Sequence, residues 1–293
     1  MCIDCDYVVQ GGTWDGRSLA DLYAEAWTPW DWHKILYEHA AKRDIMAFSS
    51  VFDLQALDFL ESIGCPIYKI SSFELVDIPL IEAVARTGNP MIMSTGMASF
   101  EEIAAAWAHA GTNGCKDITL MQCTSAYPAD HSQANLQALR VLQDAFGSNR
   151  TKIGVSDHTL GMAVPVAATA LGAAVIEKHL TLSRQDGGPD AEFSMEPAEF
   201  AQMVKVCRNA YRAITGSHIG PVAGERTDLR RSVYVAKDIR KGEIITEEHL
   251  TTARPGDGMS PGRLHKVLGK TMRVQATRGM AFHESMAVDK GMN

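Results

Sequence analysis

The sequence predicts an α/β chain built as a (β/α)8-type barrel short of two of its eight units, followed by a small β-rich region. Three observations carry this reading. From Ile45 to about Ala213, short β-rich runs alternate with longer helix-patterned runs. Their spacing, roughly 20–35 residues, is that of βαβ units in a parallel sheet. Each strand also ends in small polar or ionisable residues: Ser49-Ser50, Ser71-Ser72, Ser94-Thr95, Cys123-Thr124-Ser125, Ser156-Asp157-His158 and His179. A barrel places its chemistry at the C-terminal end of every strand, whereas a doubly wound sheet gathers it at one switch point.

The elements follow in order. The first 45 residues supply no strand of the barrel. MCIDCDYVVQGGTWDG reads as a small hairpin around Gly11-Gly12, and LADLYAEAWTPWDWHKILYEHAAKRD as helix, with Pro29 restarting a turn. The strand candidates are 45–50, 66–72, 90–95, 117–124, 152–157 and 173–181. Between them lie helical stretches such as 52–64, 77–88 and 99–111, several closed by the glycine that commonly stops a helix. Ser99 ahead of Phe100-Glu101-Glu102 has capping-box spacing, and Asp53 and Asp77 are N-cap candidates. Six units were found where a closed barrel needs eight. Either two strands escape sequence reading, or the chain lacks the start of its barrel.

Beyond Ala213 the pattern changes. ITGSHIGPVAGERTDLRR is aperiodic and reads as a linker. The tail then shows short β-patterned pieces and an internal echo, "AKDIRKGEIITEEHL" against "VQATRGMAFHESMA", which suggests a pseudo-repeated β-rich domain of about 60 residues.

Composition narrows the function classes. The 293 residues are 46% hydrophobic and 22% charged, enough apolar content for a substantial core. A net charge of -7 argues against nucleic acid as partner, while leaving room for a small anion held by one or two local cations. The longest apolar stretch, MAVPVAATALGAAVI, is too short to span a bilayer and contains Pro165; it reads as a buried helix running into a strand. The six cysteines (Cys2, Cys5, Cys65, Cys115, Cys123, Cys207) show no paired framework, and no signal peptide is recognisable, so a cytoplasmic location is expected. Cys2-x-x-Cys5 has redox or zinc spacing without the context that would give it meaning.

Two apolar runs end in histidine, "GVSDHTLG" and "AAVIEKHLT". Strand alternation puts Ser156 and His158 on one face, Asp157 on the other, and Glu177 with His179. On adjacent strands about 5 Å apart the two imidazoles could reach one ion. Two neutral histidines with open positions suit Mn2+, Fe2+ or Zn2+; the alternative is a pair of satisfied polar residues at strand ends. Lys69, inside an apolar strand, must face a cavity or pair with an acid. With Ser50, Ser72, Ser94, Ser125 and Ser156 it could hold a phosphate or carboxylate; alternatively it pairs with Glu74 or Glu177. Glu74 is a candidate acid/base or hydroxyl acceptor, or a plain acid at a helix start. Asp190, in the glycine-rich "GGPDAEFSM", could bind sugar hydroxyls or serve only a turn. Arg254 in "ARPGDG" reads as an exposed turn residue. Trp14, Trp27, Trp30 and Trp32 read as core or interface.

The ordered motifs "YKISSFE", "STGMAS", "CTSAYPA", "SDHTLG", "EKH" and "GGPDAEFSMEP", followed by "RPGDG", resemble the sialic acid synthase family from about residue 45 to 260. "GGTWDGRSLADLYAEAWTPWDWH" is most similar to the pseudaminic acid synthase branch. The resemblance implies a TIM-type barrel over 1–215 lacking its first two strands, a linker over 216–230, and a SAF (antifreeze-like) domain over 231–293. It implies condensation of phosphoenolpyruvate with a 2-acetamido sugar, for that branch 2,4-diacetamido-2,4,6-trideoxy-L-altrose, with release of phosphate. The positions matching Ser50, Lys69, Ser72, Ser94, Ser125 and Ser156 would hold phosphoenolpyruvate. Glu74, Tyr127, Asp190 and Arg254 would contact the sugar, Arg254 from across a domain-swapped homodimer. His158 and His179 would bind Mn2+ or Mg2+ and, with Glu74, carry the catalysis. The neighbouring N-acetylneuraminate and legionaminate synthases are the alternative enzymes, and a non-catalytic carbohydrate-binding remnant the alternative of another class. Relatives begin with a "GINH"-like strand and a second, lysine-bearing strand that this sequence does not show. An N-terminally truncated product or a mis-assigned start, one that expresses poorly or is inactive alone, is therefore expected.

Overall fold

The computed structural model describes residues 7–216 and 219–291. Cys2 and Cys5 lie outside the described residues. The chain divides into two compact units, Met1–Gly216 and Ser217–Asn293.

The first unit opens with α1 (Leu19–Ala26), capped by Ser18, and α2 (Trp30–Ala41). Strand and helix then alternate: β1 (Ser49–Ser50), α3 (Leu54–Ser62), β2 (Tyr68–Ile70), α4 (Ile78–Arg86), β3 (Met91–Ser94), α5 (Phe100–Thr112), β4 (Ile118–Cys123), α6 (Ala138–Phe146), β5 (Thr151–Asp157), α7 (Ala163–Ala170), β6 (Val175–Lys178) and α8 (Pro197–Ile214). The expected caps form: Asp53 and Asp77 accept backbone N–H groups of α3 and α4, and Ser99 with Glu102 closes a capping box on α5. The "MAVPVAATALGAAVI" stretch becomes α7 running into β6.

All six strands are parallel and lie in chain order, β1 through β6. Among the described residues ahead of β1 there is one isolated bridge, Val8 to Ser18, and no strand of this sheet. The sheet is thus an open six-stranded arc, with β1 and β6 each paired on one side. The outer strands are shorter than their sequence patterns, Ser49–Ser50 within 45–50 and Val175–Lys178 within 173–181. Having a partner on one side only, they form fewer ladder bonds to define them.

Alternation sets the two faces. Tyr68, Ile70, Met91, Met93, Leu120, Ile153 and Val155 are buried in the core shared with the helices. Their neighbours Lys69, Ser94, Ser156 and Glu177 therefore turn to the inner face of the arc.

In the second unit, β7 (Ser232–Val235) pairs antiparallel with β8 (Leu250–Ala253), and β9 (Thr271–Met272) with β10 (Ala287–Val288). The echo seen in the sequence is structural. Each half carries a left-handed glycine (Gly242, φ 85°; Gly279, φ 89°), then a buried residue (Ile245; Phe282) and a capped turn (Glu247–His249; Glu284–Met286). The halves meet through reciprocal bonds, Ile239 N–H to Ala276 O and Ala276 N–H to Ile239 O, both 2.9 Å.

Candidate active site at the strand ends

The inner face brings the predicted residues into three groups. In the first, Lys69 is 6% exposed. Its Nζ donates to Ser94 Oγ at 2.7 Å and stands 3.8 Å from Glu177 Oε1. Glu177 in turn accepts from Ser156 Oγ at 2.7 Å. Lys69 thus has an acidic neighbour, Glu177, and also faces a cluster of hydroxyls. Ser50 lies in register with Lys69 and accepts from Ser71 Oγ at 3.5 Å.

The second group surrounds Gly96. Its N–H donates to Ser72 Oγ at 3.1 Å. A Cβ at this position would collide with Ser125 Oγ and come within 2.8 Å of Ser72 Oγ. Glycine is required here for the β3 and β4 loops to approach, which the motif "STGMAS" contained but alternation could not reveal. Glu74 ends the short helical turn Ser72–Glu74. Its Oε2 is buried without a hydrogen-bond partner among the described residues, and burial holds the carboxyl above its ordinary value.

The third group is the histidine pair. The His158 and His179 ring centroids are 5.3 Å apart in an edge arrangement. His158 Nδ1 lies 2.9 Å from the Thr124 carbonyl. A carbonyl only accepts, so Nδ1 carries a proton, and in the neutral ring Nε2 keeps its lone pair. His179 Nδ1 faces Asp190 Oδ2 at 3.4 Å, which orients that ring in the same sense. Burial, with His158 nearby, holds His179 below its ordinary value, hence neutral. Burial also opposes charge on His158, but its bonds to Cys123 and the Thr124 carbonyl, and the charge of Glu177, hold it above its ordinary value. Tyr127 lies against His158 with centroids 4.4 Å apart, its hydroxyl pushed up to about 12 mainly by burial. Among the described residues no group of three or more His, Cys, Asp and Glu is arranged around an ion position. The pair therefore offers two imidazole donors, with water or substrate left to complete a shell.

The two strands are fixed from behind. Asp157 and Lys178, each with a side chain 1% exposed, pair at 2.6 Å on the outer face. Lys178 also donates to the Thr159 carbonyl, and Thr159 N–H donates to Asp157 Oδ1 at 2.9 Å. Each ion-pair residue immediately precedes a histidine.

Sequence reading missed Cys123, whose Sγ is 3.9 Å from His158 Nδ1, and Phe193, which packs on both Tyr127 and His179. Cys123 was visible only as a strand end and Phe193 only as a loop residue. Arg254 stands in the second unit, exposed after β8.

The NeuB family matches residues 4–219, and the SAF domain residues 230–286. A pseudaminic acid synthase of Helicobacter pylori is 42% identical over 267 residues, 90% of this chain and 78% of the relative. An N,N'-diacetyllegionaminic acid synthase of Campylobacter jejuni is 40% identical over 81% of this chain and 72% of its own length. Among solved structures, the N-acetylneuraminic acid synthetase of Leptospira borgpetersenii superposes with a TM-score of 0.65 at 34% identity, covering 69% of this chain and 70% of that one.

Proposed function

This chain belongs to the NeuB, or sialic acid synthase, family, and we propose that within it the chain is a pseudaminic acid synthase. It condenses phosphoenolpyruvate with 2,4-diacetamido-2,4,6-trideoxy-L-altrose and releases phosphate. The observation that carries this reading is the convergence, on one inner sheet face, of the Lys69 hydroxyl cluster with the His158/His179 pair. Similarity to the Helicobacter pylori relative supports the choice of sugar.

Lys69 and the hydroxyls of Ser50, Ser72, Ser94, Ser125 and Ser156 bind the phosphate and carboxylate of phosphoenolpyruvate. One cation with several hydroxyl donors satisfies an anion without a basic patch. Tyr127 and Asp190 contact the sugar beside the histidines. Glu74, its carboxyl kept toward the protonated form by burial, donates to the sugar oxygen on which charge develops. His158 and His179 would hold Mn2+ or Mg2+, which when bound supplies Lewis-acid polarisation of the aldehyde. C3 of phosphoenolpyruvate forms the new bond to the aldehyde carbon. Water adds at C2, and phosphate leaves with the bridging oxygen. Arg254 completes the sugar site as part of a domain-swapped homodimer.

The location is cytoplasmic, a reading supported by the free thiols of Cys65, Cys115, Cys123 and Cys207. Among the described residues no helix is long and apolar enough to cross a membrane.

The test is kcat/KM with three aldehyde sugars. The altrose derivative is expected to exceed both N-acetylmannosamine and the legionaminate precursor. A reversed order would replace the proposal with one of the neighbouring synthases.

A further inference from the structure

We propose that Trp14 is a positioning residue for the sugar, locking together the loops that carry Tyr127 and Asp190; the word sugar rests on the function proposed above. Trp14 lies in "GGTWDG", a tight turn ahead of α1. Gly11, Gly12 and Gly16 take φ near 75° there, and Gly11 N–H donates to Asp15 Oδ1 at 2.6 Å. The turn is closed by Val9 N–H to Arg17 O and Gly16 N–H to Val9 O, both 2.9 Å. From this base the turn makes three contacts with distant parts of the chain. Thr13 Oγ1 donates to the Tyr127 carbonyl. The Trp14 ring packs on the Tyr127 ring, centroids 5.1 Å apart at 37°. Trp14 Nε1 donates to the Pro189 carbonyl at 2.8 Å.

Those contacts end next to the histidine pair. Tyr127 lies against His158, and Asp190, the residue after Pro189, faces His179. The two loops leave β4 and β6, strands separated by β5. Phe193 already packs on Tyr127 from one loop to the other, centroids 5.5 Å apart, and a second tie restricts such mobile surface loops further. Trp14 joins them, with its ring on one and its N–H on the other. No contact links Trp14 to the Lys69 cluster among its hydrogen bonds and ring contacts. Its effect therefore falls on the sugar and not on phosphoenolpyruvate.

Trp14→Phe keeps a ring on Tyr127 and loses the N–H bond; Trp14→Ala loses both. The sugar KM is expected to rise about tenfold in Trp14→Phe, the worth of roughly one hydrogen bond, and further in Trp14→Ala. The phosphoenolpyruvate KM should stay within about twofold in both, because Lys69 is untouched. Amide hydrogen exchange should quicken over 124–130 and 186–194 in both variants and stay unchanged in β2 and β3. The idea is overturned if both KM values move together, if the sugar KM does not move, or if exchange in the two loops in Trp14→Ala matches the wild type. A wild-type chain that turns over no sugar would sink the functional reading on which the word sugar rests. The exchange comparison would still decide whether Trp14 locks the loops.

Discussion

Lys69 and Glu74 show how single residues carry the account. Lys69→Met removes the charge while keeping much of the stem that packs in the strand. Losing charge-assisted bonds worth about 1.5–3 kcal/mol should raise the phosphoenolpyruvate dissociation constant about 10–150-fold, measured by calorimetry. Glu74 makes a prediction of opposite sign for stability. Its folded-state pKa is raised above the ordinary 4.5 because burial disfavours the charged form. The folded chain therefore holds this proton longer than the unfolded chain, and stability falls as pH rises from about 4.5 through the folded value. Glu74→Gln removes that penalty. Its urea midpoint should exceed the wild type by more at pH 7 than at pH 4, while turnover falls. An equal difference at both pH values would contradict the assignment. Much of this scale was legible in advance. Period-two alternation grouped Ser156 with His158 and Glu177 with His179, and the cost of a buried charge pointed Lys69 toward a cavity or an acid. The orphaned Glu74 oxygen and the thiol of Cys123 behind His158 were not legible, because both depend on how loops fold back over strand ends.

The element that orders the site is the β5–β6 pair. Asp157 and Lys178 are paired in register and buried behind the two histidines. Asp157→Ala would leave the Lys178 ammonium buried without its carboxylate, at a cost of about 3–5 kcal/mol in chemical denaturation. The double variant Asp157→Leu/Lys178→Met should recover most of that loss, because a buried pair is often replaceable by packed apolar residues. If the single variant cost less than about 1 kcal/mol, the pair would not be what holds these strands. Sequence alternation placed Asp157 on the outer face but did not name Lys178 as its partner, since register between strands is invisible in one sequence. β3, β4 and β5 were found close to their limits, while β2, like the outer strands, is shorter than its pattern, Tyr68–Ile70 within 66–72. The over-extension reflects that a β-patterned run such as Ile45–Ser50 becomes strand only over the residues a neighbour pairs with.

At the scale of the molecule, the open arc has consequences of its own. Beside β1, Ile45 and Met46 are 61% and 62% exposed, with Phe48 and Phe52 nearby also exposed. An unpaired strand edge beside apolar surface promotes association. Light scattering should show a mass that grows with concentration, and Met46→Lys/Phe48→Lys should suppress that growth. A dimer held through the SAF domains would survive those charges, which separates the two modes of association. The six-unit count and the pseudo-repeat of the second unit were both legible from spacing and self-similarity, which need no long-range information. The central claim, that the polar inner face is a synthase site, is tested most directly with phosphoenolpyruvate labelled with 18O at the bridging oxygen. The purified chain is incubated with Mn2+ and the altrose sugar, and phosphate and keto-acid product are quantified. Whatever turnover the chain sustains, the account predicts equal amounts of both, the label retained in phosphate, and loss of both in His158→Ala. Phosphate without the label, or no product with this sugar while another sugar reacts, would contradict it.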